Sequence, residues 1–194
     1  MIYVTADSHW NHSNIIKYCD RPFNNITEMN EYLIKKWNEV VGPKDTVYHL
    51  GDFAMGKNPD KFFYRLNGSQ KFLIAGNHDK KETLNLPWTR VYGKKREYVT
   101  LVLNINNQEI AVSHFAGKVW DQSHRNAWLL YGHSHATLPE DSRLSFDAGV
   151  DAWDFMPISL DIITRKMQWK LKNGAPPIKQ YTPEAVREFN RQFL

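Results

Sequence analysis

The sequence predicts a mixed α/β fold, and three observations carry that prediction. Apolar runs of strand length alternate with amphipathic stretches through the first half of the chain. Extended runs separated by short polar turns follow in the second half, which favours hairpins there over continued helix–strand alternation. Five of the apolar runs stop at small clusters of Asp, Asn and His, a pattern that places chemistry at strand ends.

The elements follow in order. Residues 2–5 read as a strand. Residues 29–40 read as a helix, because Met29, Leu33, Trp37 and Val40 recur at helical spacing. Residues 46–50 form the next strand, 59–66 a helix and 71–75 a strand. Residues 97–104 and 109–113 make a hairpin around the turn Asn106-Asn107. Strands are expected at 127–131, 145–148 and 158–164, with 167–171 pairing against the last of these. The stretch NGAPP, residues 173–177, reads as a linker to a C-terminal helix over 183–193. Thr182 is its expected N-cap, Pro183 its first residue and Glu184 an early acid.

A chain of 194 residues supports one domain with a real core, here 1–194. No apolar run approaches the roughly 20 residues that span a bilayer, and MIYVTADSHW lacks a basic n-region and a cleavage site. A cytoplasmic protein that needs no membrane is therefore expected. Cys19 is the single cysteine, which excludes an intrachain disulfide and argues against thiolate zinc sites. The net charge of +4 suits an anionic partner, nucleotide or nucleic acid included, or serves solubility alone. Its densest run, Lys94-Lys95-Arg96, reads as a solvated loop.

The polar strand ends are the functional signal. The run ending at Ala6 delivers Asp7-Ser8-His9, and TVYHL delivers Gly51-Asp52. KFLIA delivers Gly76-Asn77-His78-Asp79, EIAVS delivers His114, and WLLY delivers Gly132-His133-Ser134-His135. Any one of these histidines or aspartates alone would read as a hydrogen-bonded structural residue or a cap. Five such ends in order do not. Oxygen and nitrogen donors without sulfur suit Mn²⁺, Fe, Zn²⁺, Co²⁺ or Ni²⁺. Seven side chains exceed the needs of one ion and fit two ions sharing a carboxylate. Two divalent ions, two aspartates and a bridging hydroxide leave the site positive, ready for a phosphate.

D-x-H, then G-D, G-N-H-D, H and G-H-x-H resembles the calcineurin-like metallophosphoesterase superfamily, with all five blocks in family order between residues 7 and 135. RPF at 21–23, SHRNAW at 123–128 and GVDAW at 149–153 are further similar to small phosphoesterases of phage and bacterial genomes. The resemblance implies a four-layer α/β/β/α sandwich of two mixed sheets flanked by helices. It implies two divalent ions, with Mn²⁺ the expected choice in vitro and Mg²⁺ also admissible. Asp7, His9 and His135 would bind the first; Asn77, His114 and His133 the second; Asp52 would bridge them. His78 would sit over the site and protonate the leaving oxygen. Asp79 would orient His78 or a ligand, or else cap the turn. Protein phosphatases of this superfamily carry Asp-Arg-Gly after G-D and Glu after G-N-H. This chain has Phe53-Ala54-Met55-Gly56 and Asp79 instead, which disfavours that role.

Around the blocks, His12 is a candidate for touching phosphate or leaving group, or for capping a helix. Arg125 is a candidate for bidentate phosphate binding, with Arg21 a weaker one. Trp120 and Trp128 read as core before base-stacking platforms, and His49 as structural. Asp147 and Asp151, flanking Gly149, read as structural and away from the metals. The stretch between Asp7 and Asp52, with its helix, is expected to shape the substrate side. The expected activity is hydrolysis of a nucleotide-like phosphodiester. The alternatives are a nuclease on longer nucleic acid, a phosphomonoesterase, or a non-catalytic scaffold of the same fold.

Overall fold

The computed structural model describes residues 1–94 and 97–194; of the basic run, Lys95 and Arg96 lie outside them. Two sheets face each other. In the first, β1 (Ile2–Thr5), β2 (Thr46–His49), β3 (Gln70–Ile74) and β4 (Arg90–Tyr92) run parallel, and β9 (Ile158–Ser159) joins β1 antiparallel. In the second, β5 (Thr100–Ile105) and β6 (Gln108–Ser113) form the expected hairpin, and β7 (Trp128–Tyr131) and β8 (Ser145–Asp147) continue parallel to β6. The architecture is the expected α/β arrangement of two mixed sheets flanked by helices.

Side-chain alternation explains how the sheets are filled. Val4 and Ala6 point inward with Leu50 and Ile74, against Ile110, Val112, Leu130 and Phe146 of the other sheet. Tyr3, Val47 and Leu73 point outward, against Met29, Leu33 and Trp37 of α2 (Ile26–Val40). Asn25 caps α2 by accepting from the Glu28 amide at 2.9 Å, and Glu28 accepts from the Asn24 amide in return. That cap starts the helix three residues before its apolar stripe. On the outer face of the second sheet, Ala111, Leu129 and Tyr131 meet Trp120 and Ala127, so Trp120 is core; Trp128 belongs to the inner core.

Two expectations fail in the chain's last third. Only 158–159 of the expected 158–164 strand is extended, and 167–171 is no strand. The whole segment is helix α5 (Leu160–Asn173). Ser159 caps it by accepting from Ile162, and its buried stripe is Ile163, Lys166, Met167 and Lys170. Two lysines in that stripe disguise helical periodicity as alternation. Lys166 and Lys170 are buried because Glu140 accepts from both, at 2.6 and 3.0 Å. The C-terminal helix forms as α6 (Pro183–Asn190), with Thr182 accepting from the Ala185 amide, and continues as a 3-10 turn to Phe193. It docks on the body through Val186 and Phe193 of the inner core. No described helix is long and apolar enough to cross a membrane.

Candidate metal centre

Because β1, β2 and β3 are parallel, and β6 and β7 are parallel, their C-terminal ends can meet on one side of the molecule. An isolated bridge between Ala6 and Gly149 ties the extension of β1 to that of β8 there. The turns that follow use backbone that side-chain-bearing residues seldom adopt. Asp7, His9, Asp52, His133 and His135 all have positive φ, between 46° and 67°. Close approach demands glycine at two points. A Cβ on Gly76 would lie 2.3 Å from Asp52 Oδ1, and one on Gly132 would lie 2.7 Å from Asp7 Oδ2.

Two groups of donor atoms result. Ligand atoms of Asp7, His9 and His135 lie within 4.8 Å of one another, and so do those of Asp52, His114 and His133. Asp52 stands between them. Its Oδ2 is 3.5 Å from His9 Nε2 and 3.6 Å from His114 Nε2, while its Oδ1 accepts from the His78 amide at 2.8 Å. Asn77 completes the second group, its Oδ1 2.9 Å from His114 Nε2.

The donors fit a cation. Asp7 Oδ1 and His9 Nε2 are buried with no hydrogen-bond partner among the described residues, a costly state for polar atoms. His114 donates Nδ1–H to the Leu50 carbonyl at 2.7 Å, so its Nε2 presents a lone pair to the Asn77 oxygen. Two acceptors facing each other at that distance call for positive charge between them. Burial pushes His9, His114 and His133 below the ordinary imidazole range, which keeps their ring nitrogens free to ligate. Burial pushes Asp7 well above the carboxylate range, a shift that a cation reverses. At His135 burial opposes the charge, but the hydrogen bond with Asp151 and the charge of Asp7 outweigh it and raise the pKa to about 11. A cation at that nitrogen set displaces a proton.

The other candidates fall into place around these groups. His78 is exposed, its ring 5.6 Å from that of His9 and 6.3 Å from that of His12. His12 lines the same cavity and holds its Nδ1 3.3 Å from that of His9; it makes no side-chain cap to the helix that follows. Asp79 accepts only backbone amides, from Gly76 and Asp52 on one oxygen and Phe53 on the other, each at 2.9 Å. It therefore fastens the Asp52 turn to the Asn77 turn and does not reach the cavity as an acid or base. Arg125 is not brought to the site. It lies before β7 and lines a separate hollow with Gln108 and Gln122, a strand length from His133. Arg21 is buried against Asp151, which removes it from phosphate binding. His49 is fully buried and shares a 2.8 Å hydrogen bond with Ser8.

The sequence reading missed one wall of the cavity. The cavity, about 670 Å³, is bounded by Ile15 and Tyr18 of α1 (Ser13–Tyr18), by Cys19, and by Pro183, opposite His78 and His133. The substrate side is thus shaped by α1 and not by α2, which lies on the outer face of the sheet. A helix of six residues with one buried apolar position, Ile15, gives no readable periodicity. Cys19 lies with His135 and Asp151 within 4.8 Å, but both Asp151 oxygens are taken by Arg21 and His135, so this third group needs no ion.

Residues 1–142 match the family model for calcineurin-like phosphoesterases. The chain belongs to the calcineurin-like phosphoesterase family. An uncharacterized protein of Methanocaldococcus jannaschii is 36% identical to this phosphoesterase over 177 residues, covering 86% of this chain and 91% of its own. The gene 66 protein of Mycobacterium phage L5 is 24% identical over 180 residues, covering 78% and 86%. The crystal structure of a protein of unknown function from Aquifex aeolicus superposes with a TM-score of 0.65 at 23% identity, over 87% of this phosphoesterase and 98% of that chain. At that identity the superposition speaks for the fold alone. Family membership makes this a metal-dependent hydrolase of phosphoesters by class.

Proposed function

We propose that this phosphoesterase binds two divalent ions and hydrolyses a nucleotide-like phosphodiester. The observation that carries the reading is the single oxygen, Asp52 Oδ2, 3.5 Å from His9 and 3.6 Å from His114, shared between two donor groups. Asp7, His9 and His135 would hold one ion, and Asn77, His114 and His133 the other, with Asp52 common to both. Bound there, Mn²⁺ or a similar ion supplies an activated water and positive charge beside the phosphate.

The remaining work belongs to side chains. His78, exposed and with its backbone amide held on Asp52, would donate a proton to the leaving oxygen. His12 reaches into the same space from the opposite turn. The cavity lining contains no Lys or Arg among the described residues. Charge for the phosphate must therefore come from ions and histidines, which weighs against a tracking site for long nucleic acid. The wall of Ile15, Tyr18 and Pro183 gives a second ester substituent an apolar surface, which favours a diester over a monoester. Tyr18 is 73% exposed there, ready to take a planar group.

The test is hydrolysis of bis-p-nitrophenyl phosphate against p-nitrophenyl phosphate in Mn²⁺, with His78→Ala and Asp52→Ala beside the wild type. Diester cleavage exceeding monoester cleavage, and abolished or nearly so in both variants, is expected. Monoester preference would redirect the reading to a phosphomonoesterase. Activity on neither would favour a non-catalytic scaffold.

A further inference from the structure

The first donor group is held from behind by a buried ion pair that supplies no ligand. Arg21 and Asp151 are 3% and 0% exposed and lie 130 positions apart in the chain. Arg21 donates from Nε and Nη2 to the two Asp151 oxygens, both at 2.8 Å. The same guanidinium donates from Nη2 to the Asp7 carbonyl at 2.7 Å and from Nη1 to the Ser8 carbonyl at 3.1 Å. Asp151 Oδ2 also accepts from His135 Nδ1 at 2.7 Å. One planar fork therefore grips the left-handed turn that carries Asp7 and His9, and its partner carboxylate aims the ring of His135. The far side is braced too: Arg187 donates to the Asp151 carbonyl at 3.1 Å and Asn190 to the Ala152 carbonyl at 2.9 Å, so α6 backs the loop. None of these hydrogen bonds is made to Asp52, His114, His133 or Asn77 directly; the gripped turn meets the second group one step further on, where His9 N–H donates to the Asp52 carbonyl at 3.0 Å and His133 N–H donates to Asp7 Oδ2 at 2.7 Å.

We infer that Arg21 and Asp151 are positioning residues for one ion alone, the one held by Asp7, His9 and His135. The inference rests on the two-ion reading above. With its Nδ1 proton fixed on Asp151, His135 presents only Nε2 to an ion, and a carboxylate behind the ring raises its basicity as a ligand. The second group takes its bracing elsewhere, His114 from the Leu50 carbonyl.

The test is calorimetric titration of Mn²⁺ into the full chain. The wild type is expected to take up two equivalents. Asp151→Asn and, separately, Arg21→Lys should each weaken one equivalent by about 10–100-fold and leave the other unchanged. Placing Asp151→Asn on His9→Ala, which has already lost the first group, should change nothing further. Arg21→Lys keeps a cation beside Asp151, so it remains informative if Asp151→Asn fails to fold. Its lysine cannot span Asp151 and both carbonyls. Equal weakening of both equivalents would reduce the pair to a general structural role, and two unchanged equivalents would show it irrelevant to ion binding; either result overturns the inference while leaving the two-ion reading intact. A wild type that binds fewer than two equivalents overturns that reading, and the inference with it.

Discussion

At the scale of single residues, the site depends on side chains that are costly to place. Asp52 sits on left-handed backbone and contacts both donor groups through one oxygen. Gly76 must stay a glycine for that geometry. Gly76→Ala would put a methyl 2.3 Å from Asp52 Oδ1, and should reduce Mn²⁺ affinity and diester turnover together, as measured by calorimetry and initial rates. His78 differs, because only its backbone amide touches Asp52. His78→Ala should lower kcat by about 10²–10⁴-fold with metal content unchanged on elemental analysis. Loss of bound metal in that variant would place His78 among the ligands. The donor residues were legible in the sequence because each ends an apolar run. Arg21 reads as a weak phosphate candidate and Asp151 as an acid away from the metals, yet they pair directly behind His135; that pairing was not legible, because they are 130 positions apart and nothing local marks them as partners. Arg125 misled for the converse reason. Its loop leaves β6 at His114 but crosses to the start of β7, the end away from His133, and sequence proximity does not reveal which end of a strand a residue occupies.

At the scale of elements, the five strands that carry the site were read more securely than the segment after residue 158. β1, β2, β3, β6 and β7 lie within a residue or so of their expected positions, since short apolar runs bounded by polar turns leave little choice. α5 escaped because two of its four buried positions are lysine. Their burial depends on a long-range acid, Glu140, which takes both ammonium groups. Lys166 also reaches Asn190 at 2.9 Å, so this polar cluster ties α5 to α6. Removing the shared acid leaves two cations in the core. Glu140→Gln should therefore destabilise by about 3–5 kcal/mol, read from urea unfolding. Lys166→Met should cost less, because Lys170 still neutralises Glu140 and the thioether fills much of the lost stem. Equal effects for the two variants would mean that burial, not charge balance, sets the cost.

At the scale of the molecule, the two sheets and their helices put all five polar strand ends on one face, and the same burial makes the fold sensitive to acid. His49 is fully buried, and burial lowers its pKa from 6.5 to about 3. Its folded value lies below its unfolded value, so its contribution is complete above about pH 6.5 and declines as pH falls toward 3. By pH 5 the loss from this residue should be about 2 kcal/mol, measured on chelator-treated protein. His49→Gln should show a shallower decline between pH 7 and pH 5 than the wild type. An identical slope would mean that His49 binds as many protons in the fold as in the unfolded chain, with no depression of its pKa. Chelation should itself lower the midpoint of unfolding, because ions that bind only the native state add to its stability.

If Asp52 joins two ions in one site, those ions are magnetically coupled, and low-temperature electron paramagnetic resonance of the protein loaded with Mn²⁺ reads that coupling. Two ions about 4 Å apart with a shared carboxylate should give an exchange-coupled multiline spectrum, which Asp52→Ala should convert to isolated six-line signals. Isolated six-line signals from the wild type at full loading would contradict a shared site.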